Sequence, residues 1–305
     1  MHCELVIPGL LASRARLASL ELLAARGRRR KARPQPAESW LQDAFGLGGR
    51  LNAGPISILG AGGTPGDATW TRADPVYMQI LRERVLLVPA ATFPVSQEEA
   101  DSLCDALNRH FAGVLEFRAL DPHRWCARII QGDTDLGDEP PLDMAGREAT
   151  TRPGDVMLTE VQMLLHSQPT NEAREARGEP PLNSVWLWGA GRLPQGASSR
   201  FQSVTSADPF PLGLARLANA AARPLPADAS AWLEQAPQDG RHLVILDAAD
   251  ETLERDWFAP LAAAMRAGRV GMVSLHVPDA GFSVETVRGD LRRFWRRAKA
   301  LETYA

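Results

Sequence analysis

Residues 160–191 read EVQMLLHSQPTNEAREARGEPPLNSVWLWGAG. Apolar residues at helical spacing run from Val161 to Leu165 and belong to a longer helix predicted over Val156–His166. Pro169 turns the chain into a short charged helix. Asn183 then leads into a strand, Ser184–Trp188, that closes in a Gly-Ala-Gly turn. A helix, a loop and a buried-type strand in this order point to an α/β fold. Polar side chains also collect here. Asn171 and Arg174 are one helical turn apart, so they face the same way. Trp186 and Trp188 share one face of the strand. A small-molecule site is therefore expected in this stretch, with Arg174 as a possible fork for a carboxylate or phosphate. The competing expectation is a buried Trp pair with an Asn that pins a loop.

The flanking sequence extends the α/β pattern. Glu4–Leu11 reads as a first strand and Ala15–Arg26 as a helix. Ser39 is expected to cap a short helix, Trp40–Phe45. Pro55–Leu59 reads as a strand, followed by the Gly-rich turn GAGGTPG at 60–66. That turn lacks both phosphate-loop spacings and is expected to be a plain loop. Asp74–Val88 reads as a β-hairpin turning near 82–84. Ser96 and Glu99 form a capping box before a helix at Gln97–Phe111. Leu115–Ala119 and Trp125–Ile130 read as two more strands, so 71–131 is expected to be a small α+β insertion. Residues 132–152, rich in Asp, Gly and Pro, are expected to link it to the rest. The second half continues with a helix from Pro211 to Ala222 and a strand at Leu243–Asp247. A helix at Trp257–Ala267, a strand at Val270–Val277 and a closing helix at Val284–Ala300 complete it. Residues 1–70 and 153–305 are thus expected to form one mainly parallel sheet covered by helices.

Composition bounds the partners. The chain has 305 residues, 45% of them apolar and 23% charged, with a formal net charge of −3. That is an ordinary globular composition with no overall field toward nucleic acid or anionic lipid. No apolar run reaches the roughly 18–20 residues of a membrane span, so no membrane association is expected. Cys3, Cys104 and Cys126 are odd in number and widely spaced, which suggests reduced thiols and a cytoplasmic protein. The abundant Ala, Arg and Pro fit a GC-rich bacterial genome. The basic run Arg26–Arg33 (RGRRRKAR) has no aromatic residue between its charges. It is expected to be a solvated loop, and nucleic-acid binding is not expected from it. A protein partner is left open.

Few residues advertise chemistry. Asp247, Asp250 and Glu251 follow the strand LVIL, where parallel sheets place ligands and metals. His276 ends another strand and suits proton transfer or metal ligation. An exposed acidic loop and a structural histidine are the plainer expectations. HxxxH, HExxH and GxSxG are absent from the sequence.

The segment HSQPTNEAREARGEPPLNSVWLWGAG (166–191) resembles a motif of archaeal-type cofactor-independent phosphoglycerate mutases, members of the alkaline phosphatase superfamily. The chain as a whole resembles the RpfE-type regulatory proteins, a divergent bacterial family often labelled as such mutases. That resemblance rests on ADPVYM (73–78), HRWCARI (123–129), EVQMLLH (160–166) and NSVWLWGAG (183–191). It implies an alkaline phosphatase-like α/β fold. It also implies a site at Asp74, Arg124, His166, Asn171, Arg174, Asn183 and Trp188, suited to a phosphorylated or carboxylate small molecule.

True mutases use two divalent metals and a phosphoryl-carrying serine, and here the match breaks. The first-strand metal aspartate would fall at Pro8, before Gly9. In AADETLE (248–254), Asp250 stands in a metal-ligand place but Glu254 replaces a histidine. Leu275-His276 keeps the histidine of an Asp-His pair and loses the aspartate. Ser57 is the one candidate for the phosphoryl acceptor, within an expected strand. Met78 stands where a substrate-gripping arginine is implied. Asp250, Glu254 and His276 could hold one metal weakly, and they do not balance two doubly charged cations. The expectation is a non-catalytic regulatory or ligand-binding protein with no cofactor. The alternative is an active mutase or related phosphotransferase or phosphohydrolase using Mn or Mg.

Overall fold

The computed structural model describes residues 1–12, 16–81, 84–132, 134–145, 155–247 and 252–304. The chain divides into two compact units. The first comprises Met1–Leu47 and Gly196–Ala305, and the second Gly48–Gln195. In chain order the first unit begins with β1 (His2–Val6), α1 (Ala18–Arg26), β2 (Arg28–Lys31) and α2 (Ala37–Ala44). The second unit contains α3 (Ala53–Gly60), β3 (Thr69–Leu81), β4 (Arg84–Pro89) and α4 (Gln97–His110). It continues with β5 (Leu115–Asp121), β6 (Arg124–Ile129), α5 (Asp155–His166), α6 (Pro169–Ala176) and β7 (Ser184–Gly191). The chain then returns to the first unit through β8 (Ser203–Ser206), α7 (Pro209–Leu217), β9 (Ala221–Pro224), α8 (Ala229–Gln235) and β10 (Arg241–Ile245). It ends there with α9 (Ala259–Ala267), β11 (Met272–Val277) and β12 (Phe282–Val287).

The first unit is built on a seven-stranded sheet in the order β2-β12-β11-β1-β10-β8-β9. β1 runs parallel to β10 and β11, and β8 runs parallel to β10 and β9. β12 and β2 add an antiparallel edge. The mainly parallel α/β architecture expected from the sequence is therefore present. Side chains alternate across the central strand. Cys3, Leu5 and Ile7 enter a core with Leu20 and Leu23 of α1, Trp232 of α8 and Leu261 and Met265 of α9. His2 and Glu4 face the other way, and Glu4 is nonetheless buried. A π-helical turn, Glu254–Phe258, leads into α9 and contributes Trp257 and Phe258 to that core.

The second unit has an antiparallel sheet in the order β4-β3-β6-β5, with β7 also paired to β3. It is larger than the insertion expected at 71–131. Strand 184–188, expected in the mainly parallel sheet, instead pairs antiparallel with β3, Asp74 opposite Trp186. That pairing carries helices α5 and α6 into the second unit. Their buried residues, Val161 and Leu165 among them, share a core with Leu103 and Leu107 of α4. The capping box at Ser96 and Glu99 forms as the sequence requires. β3 and β4 form the expected hairpin, whose turn at 82–83 lies outside the described residues.

Three further elements differ from expectation. Residues 55–59, expected as a strand, lie in α3. A five-residue apolar run has no periodicity to separate a strand from a helix buried all round, and nearly every residue of α3 is buried. Residues 284–300, expected as a helix, begin with β12 and pass into a 3₁₀ turn at Arg288–Arg292. There the period-2 pattern of Phe282 and Val284, both buried, wins. The basic run 26–33 contains an edge strand, β2, where a loop was expected. The three cysteines are buried and none forms a disulfide, and burial pushes the Cys3 and Cys104 thiols well above the ordinary range. Among the described residues no helix is long and apolar enough to cross a membrane.

α3 approaches β3 so closely that only glycine fits at position 54. An added Cβ would lie 2.5 Å from the Trp70 carbonyl group and 2.6 Å from the Thr71 nitrogen, all backbone atoms. Gly54→Ala is expected to destabilise the protein by about 2–3 kcal/mol, through overpacking against atoms that cannot rotate away. Urea unfolding followed by circular dichroism checks this, and a variant as stable as the parent would contradict the packing.

Candidate functional site

The residues expected to form the ligand site all belong to the second unit, and its polar interior begins at Asp74. The β3 register places Arg72 and Asp74 on one face, side by side. Both are buried, and Arg72 donates to Asp74 Oδ1 through Nη2 at 2.7 Å and Nε at 3.1 Å. Trp188 Nε1 donates to Asp74 Oδ2 at 2.8 Å, and the Trp125 backbone N–H reaches Oδ1 at 3.3 Å. The Arg72 guanidinium also lies over the Trp188 ring, 5.2 Å from its centre. Its Nη1 donates to Ser57 Oγ at 3.3 Å. Ser57 is thus fully buried on a helix and serves the Arg72 fork. A carboxylate surrounded by donors in this way is a tie between strands β3, β6 and β7.

Asn171, Arg174 and Asn183 are ties as well. Asn171 Nδ2 donates to the carbonyls of Leu165 and Leu182, and its Oδ1 accepts from the Leu182 N–H. Asn183 exchanges two hydrogen bonds with the backbone of Met78, holding the start of β7 against β3. The Arg174 side chain is fully buried. Its Nε donates to the Pro180 carbonyl, Nη2 to the Pro94 carbonyl, and Nη1 to Glu99 Oε2 at 2.8 Å. The fork expected to hold a ligand anion therefore holds two loops and the capping carboxylate of α4. Burial of Glu99 opposes its ionisation. The Ser96 N–H and the Arg174 and Arg177 charges outweigh that and keep its pKa below the usual carboxylate value.

The seven residues expected to form the ligand site do not meet in one place. Asp74 and Trp188 are joined in the interior. Arg124 pairs with Asp121 at 3.1 Å on the β5–β6 turn. His166, exposed at the end of α5, lines an open depression of about 600 Å³ with Tyr77, Asn171, Asn183, Glu175 and Glu179. A second depression of about 610 Å³ is lined by Pro94, Glu98, Ser102, Thr170, Arg177 and Glu179.

The expected metal residues lie in the first unit. Asp250 and Glu251 are outside the described residues. Glu254 accepts the Ser19 backbone N–H with both carboxylate oxygens, at 2.9 and 3.1 Å, and so holds the first turn of α1. His276 Nε2 lies 3.1 Å from Glu4 Oε2, and its ring packs on Trp40 with centres 4.6 Å apart. Among the described residues, no group of three His, Cys, Asp or Glu side chains is placed to hold a metal. Glu254 and His276 are each engaged in separate contacts within the fold.

The polar cluster around Glu4 escaped the sequence reading. Arg200 donates to Glu4 Oε2 at 2.9 Å, Arg241 stands 3.7 Å from Oε1, and His2 bonds Ser274 at 2.9 Å. The signal that could have revealed it is the alternation in HCELV, which puts a glutamate in the middle of a central strand. Burial of Glu4 pushes its pKa up. The hydrogen bonds and charges of His276 and Arg200 more than reverse that and hold it at about 2.

No known family profile matches the chain, and no curated protein matches its sequence. Among solved structures it is similar to the PH0037 protein of Pyrococcus horikoshii. The TM-score is 0.57 at 14% identity, over 94% of this chain and 87% of that one. The fold is shared with that protein. The chain is also similar to a cofactor-independent phosphoglycerate mutase of Thermoplasma acidophilum. There the TM-score is 0.47 at 19% identity, over 99% of this chain and 94% of that one.

Two outcomes follow from this geometry. Arg174→Ala leaves Glu99 and two carbonyls without their donor. It is expected to cost about 3 kcal/mol in denaturant unfolding, because a buried charge-assisted network is broken. An unchanged unfolding midpoint would contradict this bonding. For Glu4, the native pKa is depressed below that of the unfolded chain. Its stabilisation is therefore complete above about pH 5 and lost as the pH falls toward about 2. Glu4→Gln should remove about 2–3 kcal/mol of stability at neutral pH and flatten the acid limb of the stability–pH curve. Parallel curves for the two proteins would refute this assignment.

Proposed function

We propose that this chain is a non-catalytic regulatory or ligand-binding protein on a phosphoglycerate mutase-like scaffold, of the RpfE-type kind that its sequence resembles. One observation carries the reading. The side chains that stand where the resembled enzymes keep their reactive groups spend their polar atoms inside the fold. Ser57 is buried beneath Arg72, Glu254 holds the backbone of α1, and His276 is engaged by Glu4. Pro8 offers no side-chain ligand atom. Two divalent cations need several anionic or imidazole ligands to balance their charge. The matched residues of the second unit, Asp74, Asn171, Arg174 and Asn183, support the same reading. Their bonds are those of a scaffold, so the motif survives for structural reasons without a reaction to serve.

The ligand of this reading belongs in the depression lined by His166, Asn183 and Tyr77. A phosphorylated or carboxylate molecule would meet the His166 imidazole there, but Glu175 and Glu179 line the same walls. Their charge favours a carboxylate that also carries an ammonium group over a doubly charged phosphate.

Manganese titration calorimetry and a phosphoglycerate isomerisation assay on the purified protein test the first claim. No stoichiometric metal binding and no turnover are expected. Two tightly bound Mn²⁺ ions with sustained isomerisation would establish the mutase instead. A thermal-shift series of amino acids and phosphoglycerates, repeated with His166→Ala, tests the second. Stabilisation by an amino acid that His166→Ala abolishes is expected. Stabilisation by phosphoglycerate alone would overturn the charge argument.

A further inference from the structure

We propose that the β2 edge of the first unit, together with the segment after β12, is a binding surface for single-stranded nucleic acid. In sequence the run RGRRRKAR (26–33) lacks aromatic partners, and a solvated loop was the natural expectation. The fold changes its neighbourhood. β2 pairs with β12 as the outermost strand of the sheet, and the chain leaves β12 as RGDLRRFWRRAK (288–299). That segment is fixed beside the first run. Arg293 Nη1 donates to the Arg26 carbonyl at 3.0 Å, and Arg296 Nη1 to the Gly27 carbonyl at 3.1 Å. Phe294 and Trp295 lie between these two anchors in sequence. Two basic runs far apart in the chain thus become one surface, with an aromatic pair in it.

The aromatic pair is the feature that edge protection does not explain. Charged residues on an edge strand are an ordinary defence against strand addition, and β2 alone would be read that way. Phe294 and Trp295 are 79% and 67% exposed. Their rings meet edge to face, 5.3 Å between centres. Defending an edge calls for charge and gives no reason to hold two large rings in water. Rings set among cations are the combination that binds single-stranded nucleic acid, where bases stack on the rings and phosphates meet the cations.

The kind of cation and its placement narrow the partner further. Across the two runs arginine outnumbers lysine ten to two, and guanidinium groups bind phosphate in two-point fashion and also stack on bases. All four residues of β2 are exposed. Arg28 and Arg30 stand on the face of Glu285 and Ser283, whereas Arg29 and Lys31 stand on the face of Val284 and Phe282. The cations therefore surround the sheet edge on both sides. A flat bilayer meets one plane, while a flexible single strand can follow such an edge. Glu285 offsets part of the charge through Arg30, at 3.2 Å. Arg28, Arg292 and Arg297 make no such pairing among the described residues. With a net charge of only −3 over the whole chain, this cationic edge is a local feature, not a consequence of a basic protein.

The test uses the full chain and a fluorescent oligothymidylate of about 20 nucleotides, followed by anisotropy. Binding is expected to weaken at least about tenfold between roughly 50 and 200 mM salt, as counterion release requires. Phe294→Ala combined with Trp295→Ala should weaken binding about five- to a hundredfold while leaving the salt slope unchanged. Arg28→Glu with Arg297→Glu should make that slope shallower by about 0.7 for each phosphate that is no longer neutralised. All four side chains are exposed, so a matched thermal unfolding midpoint verifies that the variants are folded. Absence of binding at low salt would overturn the proposal, as would binding indifferent to the aromatic pair. Cosedimentation with phosphatidylserine vesicles, dependent on Phe294 and Trp295 and without oligonucleotide binding, would assign the surface to a membrane and also overturn it.

Discussion

A buried carboxylate organises the second unit. Asp74 sits inside the antiparallel sheet, where an unpaired charge would be strongly disfavoured. Arg72, the Trp188 indole and the Trp125 backbone all come to it. Each donor belongs to a strand position fixed by register, so satisfying the charge and setting the strand pairing are one event. β7 cannot slip along β3 by a residue without moving Trp188 to the opposite face. Gly189 follows at once with a positive φ, +60°, and a Cβ there would fall 2.5 Å from that of Ala53. The WLWGAG turn is thus held by a charge on one side and by close packing on the other.

The same economy recurs around it. Asn171, Arg174 and Asn183 each satisfy backbone groups that loops would otherwise leave unpaired. Arg174 does so from complete burial, stacked 5.5 Å from the centre of the Phe93 ring. Polar residues that look in sequence like a ligand's hand are, in space, the fastenings of a Pro-rich loop. In the first unit Glu4 plays a comparable part. It lies on the face of β1 opposite the main core and collects Arg200, His276 and, at longer range, Arg241 and His2. Its ionisation is the more favourable state despite burial because the hydrogen bonds and charges of His276 and Arg200 outweigh the desolvation.

The residues of an implied reaction and those of the fold are therefore hard to separate by residue type. A histidine at a strand end and a glutamate at a helix start suggest metal ligands in a one-dimensional pattern. In three dimensions His276 supports Glu4, and Glu254 supports the first turn of α1. At the β2 edge, by contrast, cations and aromatic rings stay in water.

Local patterns alone determined a good deal. The capping box at Ser96, the apolar face of α4, the β3–β4 hairpin and the alternation of strands with helices depend on neighbours a few residues apart. Their physics is complete within one window of sequence. The mainly parallel sheet follows from the same alternation. What the tertiary structure decided were the cases of competing periods and distant partners. The apolar run at 55–59 became a helix because it is buried on every side. The strand at 184 joined β3 because Asp74 needed its tryptophan, and 282–287 became a strand because Phe282 and Val284 had a core to enter. Arg174 lost its availability to residues 80 positions away, and the basic run gained its aromatic neighbours from the other end of the chain. Burial and long-range hydrogen bonding are properties of assembled space, so no local pattern could have declared them.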